Sequence, residues 1–149
     1  MEIVKPSVDW FALSPSLTLL AAAGLALLGA VLLPRAAVHA FAAVVCALGY
    51  AGAFVAAALL YAESPEATLE VADAISRDRF GALAQLVVAG SGLVAVGISC
   101  AQPTRREHVG EYFALLAAAG GGMVFFVQAS NLMTLFLGLE WFSICLYIL

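Results

Sequence analysis

Glu140 lies within an otherwise apolar run from Leu132 to Leu149, in a chain of 149 residues. It sits about nine residues into that run, roughly 13 Å along a helix that rises ~1.5 Å per residue. An acidic side chain at that depth in a membrane costs on the order of 3 kcal/mol on insertion scales. Such residues normally face a bundle interior or water, and mark ion or proton paths. Ser143 and Tyr147 follow three and seven positions later, on the same side of a helix. Both hydroxyls can donate to a carboxylate. The three residues form a candidate proton relay, with Glu140 carrying the proton, Ser143 and Tyr147 supporting it, and the group facing inward. Trp141 is expected to serve packing. No lysine or arginine lies at matching depth, so Glu140 either keeps its proton or meets a partner beyond these residues. A second reading makes Glu140 a protonated acid that only ties two helices together.

Other side chains offer less chemistry. Cys46, Cys100 and Cys145 each lie in or at the end of an apolar run. Their odd number, the absence of C-x-x-C spacing and the lack of a nearby histidine argue against disulfides and metal ligation. They read as small buried side chains. No cysteine cluster or glycine-rich nucleotide loop is present, so no NADH, flavin or iron–sulfur site, and no metal site, is expected in this chain. No basic run suggests nucleic acid.

The elements that must position Glu140 follow from composition. Hydrophobic residues make up 64% and charged residues 11% of the chain, and the mean hydropathy is +1.07. A soluble domain carries about 25% charge, so the chain is expected to be an all-α integral membrane protein, a polytopic bundle of about five transmembrane helices. Spans are predicted at 15–33, 36–62, 80–101, 112–129 and 132–149, each near or above the roughly 20 residues needed to cross the hydrocarbon core. In the first, Ser14 is the expected N-cap and Pro15 the first helical residue, with Trp10 and Phe11 as interfacial anchors just outside. The leading residues Met1–Asp9 carry Lys5 but also Glu2 and Asp9, so a retained helix is expected rather than a cleaved signal. The second span exceeds the core thickness and must tilt or protrude. A hydrophilic loop, 63–79, holds Glu63, Glu66, Glu70, Asp73 and Asp78 against Arg77 and Arg79. Leu69, Ala72 and Ile75 permit a short amphipathic helix there, and a hairpin equally. The fifth span ends where the chain ends, with no polar exit, which reads as a truncation. Arg35, Arg105 and Arg106 lie in short loops that the positive-inside rule places in the cytoplasm, putting the N-terminus outside.

Residues 108–149 carry a more specific signature. His-Val-Gly-Glu-Tyr-Phe-Ala-Leu-Leu is followed by Ser-Asn-Leu-Met-Thr-Leu-Phe-Leu-Gly-Leu-Glu, and then by S-x-x-L-Y-x-L from Ser143 to Leu149. This combination resembles the fourth and fifth helices of subunit N of NADH:quinone oxidoreductase, complex I. Asp78-Arg79-Phe80 also fits that family, whereas the resemblance before residue 66 is hydropathic only. The resemblance implies the first part of a larger antiporter-like fold with inverted repeats. It also implies a translocase subunit, similar to Mrp-type cation/proton antiporters, that couples quinone reduction to proton transport. Glu140 matches the family's fifth-helix glutamate, which pairs with a lysine on a later helix, here beyond Leu149. The implied setting is the inner (plasma) membrane of the cell, among other membrane subunits of complex I and the lipid bilayer. NADH, FMN, iron–sulfur clusters and quinone belong to other subunits. An Mrp-type antiporter subunit and a non-catalytic membrane scaffold are the competing readings, and the 149-residue chain alone is expected to be inactive.

Overall fold

The computed structural model describes residues 9–63, 68–70, 73–101 and 108–149. Lys5, Glu66, Ala72, Arg105 and Arg106 lie outside the described residues. Five helices follow one another along the chain: α1 (Trp10–Leu32), α2 (Arg35–Glu63), α3 (Arg79–Ala101), α4 (Val109–Val127) and α5 (Leu132–Ile148). The first four are long and apolar enough to cross a membrane; α5 is apolar but has 17 residues.

α1 begins five residues earlier than its proline suggests. Asp9, not Ser14, is the N-cap, and its Oδ1 accepts from the backbone N–H of Phe11 at 2.9 Å and of Ala12 at 3.4 Å. Pro15 therefore lies inside the helix, where it cannot donate to the carbonyl of Phe11. Ser14 Oγ donates to that carbonyl instead, at 2.7 Å, the kind of side-chain repair that lets membrane helices carry proline. Trp10 and Phe11 belong to the first turn, and Trp10 is exposed.

The connection between α2 and α3 is a β-hairpin, not an amphipathic helix. Strands β1 (Thr68–Glu70) and β2 (Ile75–Arg77) pair antiparallel, with Leu69 opposite Ser76. Asp73 sits at the turn with a left-handed φ of 62°, a conformation that Asp tolerates better than most residues. The hairpin is anchored from a distance by the α4–α5 linker. Ser76 N–H donates to Gln128 O at 2.8 Å, and Ser130 N–H donates to Ala74 O at 3.1 Å. Ser130 Oγ also donates to the carbonyl of Asp73. This pairing draws Gln128 to Ser130 out of helical geometry, so α4 stops at Val127 rather than running to Ala129.

Arg77 closes the same end of the bundle. Its guanidinium bonds Asp9 at 3.0 Å, lies 3.8 Å from Glu63, and sits 5.5 Å from the centre of the Phe11 ring. The α1 N-terminus, α2 C-terminus, hairpin, α3 N-terminus and α4–α5 linker thus share one end.

α4 packs against each of the other four helices. Its glycines and alanines permit this, since helices in lipid associate through close backbone approach. The core between α1, α2 and α4 is built largely from Ala22, Ala26, Ala42, Ala53, Ala114 and Ala117 around Leu19 and Phe113. Tyr50 of α2 runs into this layer and donates to the carbonyl of Leu116 at 2.7 Å. A Cβ at Gly92 or Gly120 would overlap its ring. Among the cysteines, Cys46 and Cys145 are buried as expected, but Cys100, near the end of α3, is exposed.

Candidate functional site

α5 is started by Asn131, whose Oδ1 accepts from the N–H of Thr134 at 2.8 Å. The helix then lies along α4. A Cβ on Gly138 would stand 2.8 Å from Phe126 Cα, and one on Gly122 would stand 2.9 Å from Phe142 N. The two backbones are therefore in contact at a pair of reciprocal glycines. Around them, the Phe126 and Phe142 rings meet edge to face at 5.6 Å, and Phe125 and Trp141 lie 6.1 Å apart. Trp141 has the packing position expected of it. Thr134, Gly138 and Cys145 are the buried positions of α5, and with Trp141 and Phe142 they mark the face turned to α4.

That contact sets the direction of the candidate relay. Glu140 follows Gly138 by two residues, which is roughly 200° around a helix of 3.6 residues per turn. It is exposed on the side of α5 away from α4, together with Met133 and Phe136. The inward orientation expected from Ser143 and Tyr147 is thus corrected for the described residues. Ser143 is half-buried, and Tyr147 is 90% exposed. Among the described residues, the Glu140 carboxylate makes no hydrogen bond or ion pair, with these hydroxyls or with any other side chain. Large apolar side chains surround α5 on every side, so hydropathy alone does not distinguish a face against lipid from a face against protein.

A second polar constellation escaped the sequence reading. Gln85 of α3 and Gln128, the C-cap of α4, are 2% and 3% exposed. Gln85 Nε2 donates to Gln128 Oε1 at 3.0 Å. The available signal was two amides at the edges of apolar runs, where an unpaired polar group is costly.

No family model matches the chain. Curated relatives do. NADH-quinone oxidoreductase subunit N of Salinispora arenicola is 30% identical over 99% of this chain and 33% of its own length. The subunit N 2 protein of Roseiflexus castenholzii is 32% identical over 99% of this chain and 29% of its length. A shorter match, to subunit N 1 of Symbiobacterium thermophilum, is 43% identical over 48% of the chain and 14% of that relative. The chain belongs to the NADH-quinone oxidoreductase subunit N family.

The chain spans about a third or less of the length of these subunit N relatives. The alignments also extend the likeness beyond the signature at residues 108–149. They cover nearly the whole chain, including the part before residue 66 where the resemblance is otherwise only hydropathic. In this subunit N chain, Arg79 and Phe80 open α3 behind Asp78, whose Oδ1 accepts from Gly81 N–H at 2.9 Å.

Proposed function

We propose that this chain is part of a proton-translocating membrane-arm subunit of an NADH-quinone oxidoreductase, with Glu140 as a proton relay. The supporting observation is the exposure of a lone carboxyl group midway along an apolar helix. Facing hydrocarbon it would cost on the order of 3 kcal/mol, so its face is one that further protein or water covers in the assembled subunit. The relatives are more than three times as long as this chain, which leaves ample sequence to provide that cover. As a proton relay, Glu140 would receive a proton from water or a neighbouring group on that face and pass it on. Ser143 and Tyr147 border the same face and supply hydroxyls to a hydrated path.

On this reading, neighbouring subunits hold NADH, FMN, iron–sulfur clusters and quinone, and the membrane partners are other complex I subunits and lipid. The protein lies in the cell's inner (plasma) membrane with the hairpin end outside. The deciding test is Glu140→Gln in the full-length subunit within its complex, which retains size and hydrogen bonding but cannot titrate. Proton uptake by vesicles should fall at least about tenfold while the complex still assembles, because an amide is easier to bury than a carboxylate. Glu140→Asp should be milder. Undiminished pumping by the glutamine variant would leave Glu140 only a structural role.

A further inference from the structure

We propose that Gln85 and Gln128 hold a single internal water molecule beneath the hairpin, independently of any role for Glu140. One hydrogen bond joins the two amides, from Gln85 Nε2 to Gln128 Oε1 at 3.0 Å. Gln85 Oε1 and Gln128 Nε2 are buried and have no hydrogen-bond partner among the described residues. Buried polar atoms are paired in the great majority of cases, and leaving one unpaired costs about 1–3 kcal/mol. Reversing the assignment of oxygen and nitrogen in both amides reverses their mutual bond, and one donor and one acceptor again remain. The site therefore demands a group that both donates and accepts.

Both glutamines line a cavity of about 10 Å³, about the size that admits one water. Ala12, Leu60 and Ala82 supply apolar wall, while Ser76, Arg77 and Asp78 of the hairpin and the α3 start form a half-buried rim. The volume excludes larger ligands. The mixed donor and acceptor pattern disfavours a bare cation or anion. A water donating to Gln85 Oε1 and accepting from Gln128 Nε2 fits both. It would link α3 to α4 where the backbone of Gln128 already holds β2 through Ser76 N–H at 2.8 Å.

Two measurements on the full-length subunit in its complex test this. A density map that resolves ordered waters should show a peak about 2.7–3.2 Å from both amide atoms. An empty cavity, or a protein side chain completing the amides, overturns the proposal. Ala82→Val narrows the cavity, so its effect on the thermal midpoint should depend on whether the amides are present. In the wild-type background it evicts the water and should lower the midpoint by ~3 °C or more relative to its effect in a Gln85→Leu/Gln128→Leu background. Equal shifts in the two backgrounds would indicate mere crowding in a dry void and would refute the water site.

Discussion

Replacing Gly138 by alanine adds one methyl group at the point where α4 and α5 touch. The new Cβ would stand 2.8 Å from Phe126 Cα and 3.1 Å from Phe126 N. These are backbone atoms that cannot rotate away, so α5 must lift from α4. Overpacking of this kind costs about 1–3 kcal/mol, and the better helix propensity of alanine returns up to about 1 kcal/mol. A net loss of about 1–2 kcal/mol is expected, which raises the fraction of detached α5 about 5- to 30-fold. Cys145 reports this opening, because it is buried on the same face of α5. Its alkylation by a membrane-permeant maleimide, followed by peptide mass spectrometry, should speed up by that factor. Cys46, buried in the α1–α2–α4 core, should keep its slow rate, and exposed Cys100 should react quickly in every variant. Gly24→Ala is the control, since a Cβ there meets nothing within 4 Å; it should leave Cys145 unchanged. An unaltered Cys145 rate in Gly138→Ala would refute both the close approach and the orientation of Glu140 that follows from it.

Further outcomes concern the hairpin end and the relay. Asp9→Asn keeps a capping oxygen for Phe11 and Ala12 but loses the charge pair with Arg77, so thermal stability should fall by under about 1 kcal/mol. Asp9→Ala removes the cap as well and should cost about 1 kcal/mol more; equal losses in the two variants would show that the cap contributes nothing. In a Cys100→Ser background, a cysteine placed at Asp73 should react with impermeant maleimide added to intact cells, and one at His108 should not. The opposite pattern would invert the orientation. In the assembled subunit, Glu140 should face protein or water. A map showing it against lipid would remove the basis of the proton path.

Local hydropathy and run length determined that the chain forms five helices, and roughly where each lies. These properties are carried by consecutive residues, and a helix closes its hydrogen bonds within itself. The position of Glu140 midway along α5 and the motif around it were legible for the same reason. The direction in which Glu140 points was not, because a uniformly apolar helix offers no preferred side until another helix approaches it closely. Here the facing glycines at 122 and 138 choose that side, and their pairing joins residues on different helices. Ser14-Pro15 imitated a helix start because proline is welcome there, yet Asp9 and the repair of the Phe11 carbonyl by Ser14 allow an earlier one. Leu69 and Ile75 suited either a helix or a hairpin in isolation. The hairpin prevails with backbone bonds to Gln128 and Ser130, more than 50 residues away in the chain. Gln85 and Gln128 likewise become a site only when packing removes water from both and sets their amides side by side, since burial and pairing are properties of the tertiary structure and not of either residue's neighbours in sequence.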